Sequence, residues 1–161
     1  MTESDLSRLR ARVERAQAQL RAVPATGPGV YGSPDPETGE RWNAGNVLGH
    51  LAEMIPFWTA QARSVMEGAG EVGRGTAGYE SRRGGIDSGQ TLTEPDLRAR
   101  IDSGLEALLA LIDGLQPSDL QRQIVHRSKA AERSLTLREL IDELLVGHLE
   151  AHAKQLAELI R

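Results

Sequence analysis

Four segments of the chain repeat apolar residues at intervals of three and four, the spacing that places them on one face of an α-helix. This pattern constrains the fold more than any other feature, because each apolar face must be buried against another element. The predicted helices run from about Ser4 to Val23, from Asn43 to about Glu67, from Thr93 to about Leu115 and from about Thr136 to Ile160. We found no segment with a convincing strand period. We therefore predict an all-α four-helix bundle, formed by one domain over residues 1–161.

The apolar faces also predict the core. In the first three helices it consists of Leu6, Leu9, Val13, Ala16 and Leu20, then Val47, Leu51, Met54 and Trp58, then Leu97, Ile101, Leu105, Leu108 and Ile112. In the last helix one side carries Leu137, Ile141, Leu144, His148, His152 and Leu159.

Helix boundaries and one irregularity can also be predicted. Asn43 and Thr93 are typical N-cap residues, because their side chains accept hydrogen bonds from the free N–H groups of the first turn. Pro56 lies inside the second helix, where a proline removes one backbone hydrogen bond. We keep this helix continuous and predict a bend near Ala52 or Glu53.

The segment from Gly68 to Gln90 contains eight glycines. We predict a long loop, which inside a compact domain is usually functional or disordered. The segment contains an aromatic residue and three arginines: Arg74, Tyr79, Arg82 and Arg83. We expect Arg74, Tyr79 and Arg82 to bind a substrate or cofactor, because a guanidinium can pair with a carboxylate through two hydrogen bonds. A solvated loop without specific contacts is the alternative.

Composition narrows the classes of function. The formal net charge is −4, and the basic residues form no patch typical of nucleic-acid or anionic-membrane binding. No apolar stretch is long enough to span a bilayer, and the N-terminus lacks the apolar centre of a secretion signal. Cysteine is absent, so there are no disulfides, thiolate ligands or cysteine nucleophile. We expect a cytoplasmic protein that acts on a small molecule.

Three histidines suggest a metal site. His148 and His152 are four residues apart and project from one helix face, so one ion can accept a nitrogen from each. His50 borders the apolar face of the second helix, between Val47 and Met54. If the second and fourth helices are neighbours, the three imidazoles converge. Three protein ligands would leave one coordination position for water or substrate, as in catalytic sites.

A bundle without metal is the alternative, since a single histidine on an apolar face is usually a hydrogen-bonded core residue. Three buried imidazoles without a shared ligand would, however, leave several nitrogens unsatisfied, each at a cost of about 1–3 kcal/mol. Glu53 is either an outer partner that orients a ligand imidazole or an exposed glutamate. His126 is expected in a surface loop, outside the site.

Two segments resemble the DinB-like (DinB/YfiT-type) superfamily. In RWNAGNVLGHLAE a tryptophan and a capping residue precede a helix with a His-Leu pair, and in LTLRELIDELLVGHLEAHAKQLAEL two histidines four apart are followed by Gln and Leu. The resemblance extends over the whole chain in length and helix order. It implies an up-down-down-up four-helix bundle, often dimeric, with His50, His148 and His152 as ligands of a divalent transition metal such as zinc or nickel. Ala151 stands where many members have an additional histidine.

The resemblance also implies an activity. Some members are thiol-dependent S-transferases or isomerases that use mycothiol, bacillithiol or glutathione, and others are hydrolases. Only Lys129 and Lys154 are lysines among the 19 basic residues, a usage common in GC-rich genomes, which favours mycothiol. We expect an S-transferase in which the metal activates a small thiol. A metal-dependent hydrolase and a non-enzymatic, metal-stabilised binding or dimerisation module are the alternatives, and we expect any homodimer interface on the first or third helix.

Overall fold

The computed structural model of the protein describes residues 4–25 and 30–160. In these ranges the α-helices are α1 (Asp5–Ala22), α2 (Ala44–Met66), α3 (Thr76–Ser88), α4 (Glu94–Gly114), α5 (Leu137–Glu139) and α6 (His148–Leu159). A 3-10 helix covers Pro117–Gln121 and a π-helical segment, Leu140–Gly147, joins α5 to α6. The strands are β1 (Glu71–Val72), β2 (Gln123–Arg127) and β3 (Glu132–Thr136). The protein is thus mostly helical, with a small sheet that the sequence analysis did not predict.

The four long helices that the apolar pattern predicted are present and surround one core. Helix α1 packs against α4 and α6, and α2 packs against α4, α6 and the π-helical segment. Every residue of the predicted core in the first three helices is buried except Leu6, which packs partly exposed against it. Asn43 and Thr93 are N-caps, as predicted. Among the described helices, none has both the length and the hydropathy needed to cross a membrane.

Helix α2 continues through Pro56, so the prediction of one helix across this proline is confirmed. The bend near Ala52 or Glu53 stays a prediction. The Pro- and Gly-rich sequence between the first two helices predicts a loop there, and its residues 26–29 lie outside the described residues.

The apolar face predicted for the last helix was wrong in part. The buried side chains here are Leu137, Leu140, Ile141, Leu145, Val146, Leu149, Ala153 and Leu156, while Leu144 and Leu159 are only partly buried. The π-helical segment explains the difference, because its hydrogen bonds span five residues instead of four and shift every later side chain around the axis. His148 and His152 therefore lie beside the core face and not on its midline.

The glycine-rich segment was predicted to be a loop, and this was wrong over Thr76–Ser88, which form α3. Helix α3 packs against α2 at two pairs of glycines, Gly45 with Gly89 and Gly49 with Gly85. A Cβ on any of these four would clash, mostly with backbone atoms of the facing helix. The glycines thus allow two helix backbones to approach closely, a gain in packing that offsets their low helix propensity.

The prediction that the chain contains no strands was also wrong. Strand β2 pairs in parallel with β1 and antiparallel with β3, in the order β1-β2-β3. Each longer strand places one residue in the core, Ile124 in β2 and Leu135 in β3, so neither shows an extended alternating pattern. His126, expected in a surface loop, lies half-buried in β2 with its ring 5.7 Å from that of Trp58.

Candidate metal centre

Three imidazoles converge where α2 packs against α6. His50 lies in the first half of α2, while His148 and His152 occupy one face of α6. One nitrogen of each ring lies within 4.8 Å of the other two, which makes the group able to hold a metal ion. The second and last of the four predicted helices are therefore neighbours, which was the condition for the three imidazoles to converge.

The spacing of two nitrogens fits a transition metal without rearrangement. Nε2 of His50 and Nε2 of His148 are 3.3 Å apart. Two ligands of a tetrahedral zinc ion at the usual Zn–N length are about 3.3 to 3.4 Å apart. The third imidazole, that of His152, has a ligand nitrogen within 4.8 Å of those of the other two rings.

All three rings are neutral at neutral pH, the form that binds metals. Burial lowers the pKa of His50 to about 2, with smaller contributions from His152 and His148. Burial and the adjacent His152 lower the pKa of His148 to about 4. Burial also lowers the pKa of His152, against a hydrogen bond with Gln155 that raises it. A metal therefore need displace no proton from these ligands near pH 7.

Hydrogen bonds orient two of the rings. Nδ1 of His152 lies 2.8 Å from Oε1 of Gln155, so Nδ1 carries the proton and leaves the Nε2 lone pair free. The ring of His148 forms a hydrogen bond with the backbone of Leu144. Such outer partners fix the tautomer of a metal-binding histidine. Nδ1 of His50 is buried and has no partner among the described residues.

Trp42 forms an aromatic wall of the site. Its ring stacks on His152 at a centroid distance of 5.4 Å and lies 5.0 Å from the ring of His50. The indole N–H donates to Glu40 at 2.8 Å. Glu40 also accepts a hydrogen bond from Arg82 at 3.3 Å, and the Arg82 guanidinium lies 5.8 Å from the centre of the Trp42 ring. These contacts tie the segment before α2 to both the histidines and α3.

A cavity of about 440 Å³ opens above the imidazoles. Its walls include Trp42, Arg82 and the polar segment from Ser33 to Thr38, in which Asp35 accepts backbone hydrogen bonds from Glu37 and Thr38. The three histidines thus face a space large enough for a small molecule.

A model of the DinB superfamily matches residues 1–156. The chain belongs to the DinB superfamily. No curated protein and no solved structure matches it. Membership agrees with the resemblance of the two histidine-containing segments and with the mostly helical fold.

In this DinB-superfamily protein, the two arginines predicted to bind a substrate or cofactor differ in how deeply they are buried. Arg82 lines the cavity above the histidines, as a substrate-binding role requires. Arg74 is buried and donates to both carboxylate oxygens of Glu53 and to the carbonyl of Gly78. Its guanidinium also lies 4.0 Å from the centre of the Phe57 ring. Arg74 therefore anchors α3 to α2, and substrate binding by Arg74, Tyr79 and Arg82 stays a prediction.

The role predicted for Glu53 is wrong in both versions. Its carboxylate pairs with Arg74 and accepts a hydrogen bond from Ser81, so it orients no imidazole and is not an exposed glutamate. The partner of a ligand imidazole is Gln155 instead. Gln155 was identifiable in principle, because it follows His152 by three residues and so shares its helix face. Glu40 has no comparable signal, since only the fold brings it to Arg82.

Proposed function

We propose that this DinB-superfamily protein is a metal-dependent S-transferase that activates a small thiol at His50, His148 and His152. The observation that carries the proposal is the convergence of three neutral imidazole nitrogens within 4.8 Å of one another beneath an open cavity. A divalent transition metal bound there would act as a Lewis acid and lower the pKa of a thiol or water at its open position.

The residues around the site have separate tasks in this proposal. Gln155 holds the Nδ1 proton of His152 and so keeps its Nε2 lone pair directed into the site. Trp42 covers one side of His50 and His152 and limits access of water to them. The chain contains no cysteine, so the reacting sulfur comes from a small-molecule thiol.

Further features of the proposal follow from the family. We infer that zinc or nickel is the metal and that a mycothiol-type thiol is the co-substrate. We also infer that the four long helices follow the up-down-down-up order, and that the protein is a cytoplasmic homodimer.

Hydrolysis is the second candidate, and one observation favours it. The cavity above the histidines is also lined by Asp35, Glu37 and Glu40. A carboxylate next to a metal can act as a general base toward water. Glu37 is the most available of the three, because Glu40 already accepts hydrogen bonds from Trp42 and Arg82, and Asp35 accepts two from the backbone.

A cobalt-loaded protein distinguishes the two functions. If the site activates thiols, adding mycothiol, bacillithiol or glutathione produces a sulfur-to-cobalt charge-transfer absorption that the His148→Ala/His152→Ala variant lacks. The transferase proposal is wrong if no thiol produces this absorption. Metal-dependent cleavage of test esters without any thiol would then assign the site to hydrolysis.

A further inference from the structure

A second, larger cavity adjoins the one above the histidines. The second cavity has a volume of about 690 Å³ and shares Thr38, Glu40 and Arg82 with the first as lining residues. The hydrogen-bonded pair of Glu40 and Arg82 lies at the boundary of both cavities, which we treat as two compartments of one cleft. We name the second compartment the side chamber.

The side chamber is rich in basic residues although the chain as a whole is acidic. Its lining includes the arginines Arg74, Arg82, Arg83 and Arg127 together with Lys129, against the carboxylates of Glu40 and Glu80.

Most of these charges already have partners. Arg74 pairs with Glu53, Arg82 with Glu40, and Arg127 with Glu71 and Glu132.

Two cations in the chamber lack such a partner. Arg83 and Lys129 form no ion pair with any described carboxylate, and of the lining carboxylates only Glu80 is unpaired in the same way. Because Arg127 has two carboxylate partners, Glu71 and Glu132, the charges in and around the chamber balance, and Arg83 and Lys129 are distinguished by having no partner rather than by a net excess of charge. The N–H groups of Arg83 and Lys129 that no carboxylate occupies can form charge-assisted hydrogen bonds with an anionic ligand.

The lysine is held in place from the opposite wall. Lys129 lies in the turn between β2 and β3, and its Nζ is 4.2 Å from the centre of the Tyr79 ring on α3. The backbone N–H of Lys129 donates to the Tyr79 hydroxyl at 3.3 Å. A cation over an aromatic face is stabilised by the ring quadrupole. This contact keeps the ammonium at the chamber wall, where its N–H groups can meet a ligand.

We propose that the side chamber binds an oxyanion, a carboxylate or a phosphate, at the far end of a substrate whose reacting end lies at the histidines. Lys129 and Arg83 bind the anion, and Arg82 marks the passage between the two compartments. This inference rests on the proposed function, to which it adds the substrate class: an elongated, negatively charged small molecule.

The first test uses the metal-free protein, so that it does not depend on metal chemistry. Glutarate and ethyl phosphate, each titrated separately and followed by amide shifts in ¹H–¹⁵N NMR spectra, should perturb residues 76–83 and 127–129. Neutral glutaramide should not. In an Arg83→Gln/Lys129→Gln variant the Kd for the anion should rise about fivefold, the effect of removing two exposed charge contacts.

Lys154→Gln is the matched control, because Lys154 is the other lysine and lies on the exposed side of α6 against Glu158. Its Kd should equal that of the wild type. The inference is wrong if both anions leave residues 76–83 and 127–129 unperturbed, or if the double variant binds them as tightly as the control does.

A second test separates this inference from the proposed function. Cobalt-loaded protein is titrated with mercaptoalkanoates of increasing length and with the corresponding mercaptoalkane amides. Tighter binding of the acids at one chain length, lost in the double variant, supports both ideas. Equal binding of acids and amides would contradict only the proposal that the side chamber binds an anion. Anion binding to the metal-free protein with no thiol binding to the cobalt form overturns only the S-transferase proposal.

Discussion

Nδ1 of His152 lies 2.8 Å from Oε1 of Gln155, one turn later on the same helix. The amide oxygen accepts the ring proton at Nδ1, which leaves Nε2 as the nitrogen available to a metal. The outer hydrogen bond is thus supplied by the helix that carries the ligand itself, so it forms as soon as α6 is helical.

Gln155→Leu should weaken metal binding by about 10- to 100-fold, because outer partners of ligand histidines typically have effects of this size. Gln155→Glu retains an acceptor and should bind metal as tightly as the wild type or more tightly. Competition with a chromogenic chelator measures both affinities. Equal affinity in Gln155→Leu and the wild type would show that this hydrogen bond does not orient the ligand.

Acid should destabilise the metal-free protein. The pKa of His50 in the folded state is about 2 and that of His148 about 4, whereas unfolded histidine titrates near 6.5. Below pH 6.5 the unfolded chain therefore binds more protons than the folded one, and stability falls as the pH falls. Each such histidine contributes a slope of up to about 1.4 kcal/mol per pH unit, and the contribution of His148 levels off near pH 4.

Urea unfolding between pH 7.5 and 4.5 measures this slope. His50→Leu should flatten it, because that variant retains no titrating group at position 50. An identical slope in the variant and the wild type would mean that His50 is as readily protonated in the folded state as in the unfolded state.

Adjacent glycines in α3 should respond in opposite ways to substitution. A Cβ at Gly85 would clash with the side chain of Glu53, whereas nothing lies within 4 Å of a Cβ at Gly84. Gly85→Ala should destabilise the protein by about 1–3 kcal/mol through overpacking. Gly84→Ala should stabilise it by about 0.5–1 kcal/mol, since alanine favours the helix. Thermal unfolding compares them, and equal effects would contradict the close approach of α3 to α2.

Removing one member of the buried pair of Arg74 and Glu53 should destabilise the protein more than removing both. Their side chains are only 6% and 11% exposed. Arg74→Met leaves a buried carboxylate unpaired and should cost about 3–5 kcal/mol, whereas Arg74→Met/Glu53→Leu should be close to neutral. A double-mutant cycle of unfolding free energies tests this. Additive losses would show that the two groups do not stabilise one another.

The sequence predicted the histidine cluster because it depends on regular geometry. His148 and His152 share a face at any point of a helix, and His50 follows from the apolar period of α2. The π-helical segment Leu140–Gly147 left this relationship intact because it ends before His148. It did change which leucines reach the core, and no residue type in the sequence marks such a segment.

The parts that the sequence did not predict depend on contacts between distant residues. Glycine usually indicates a loop, so the segment from Gly68 to Gln90 was predicted as one. The structure shows that several of these glycines instead allow a helix, α3, to approach α2 closely. The side chamber needs Lys129, which the β2–β3 hairpin brings to Tyr79 across 50 positions of sequence. Neither strand of the hairpin has a pattern strong enough to predict that pairing.

Metal content tests the central claim most directly. The protein is purified untagged and without chelator, incubated with zinc or nickel, desalted and analysed by elemental mass spectrometry, beside His50→Ala, His148→Ala, His152→Ala and the control His126→Gln. His126 is the one histidine outside the cluster. We expect about one equivalent of metal in the wild type and in His126→Gln, and loss of metal in the other three. No metal in the wild type after reconstitution, or equal metal in all five proteins, would contradict the three-histidine site.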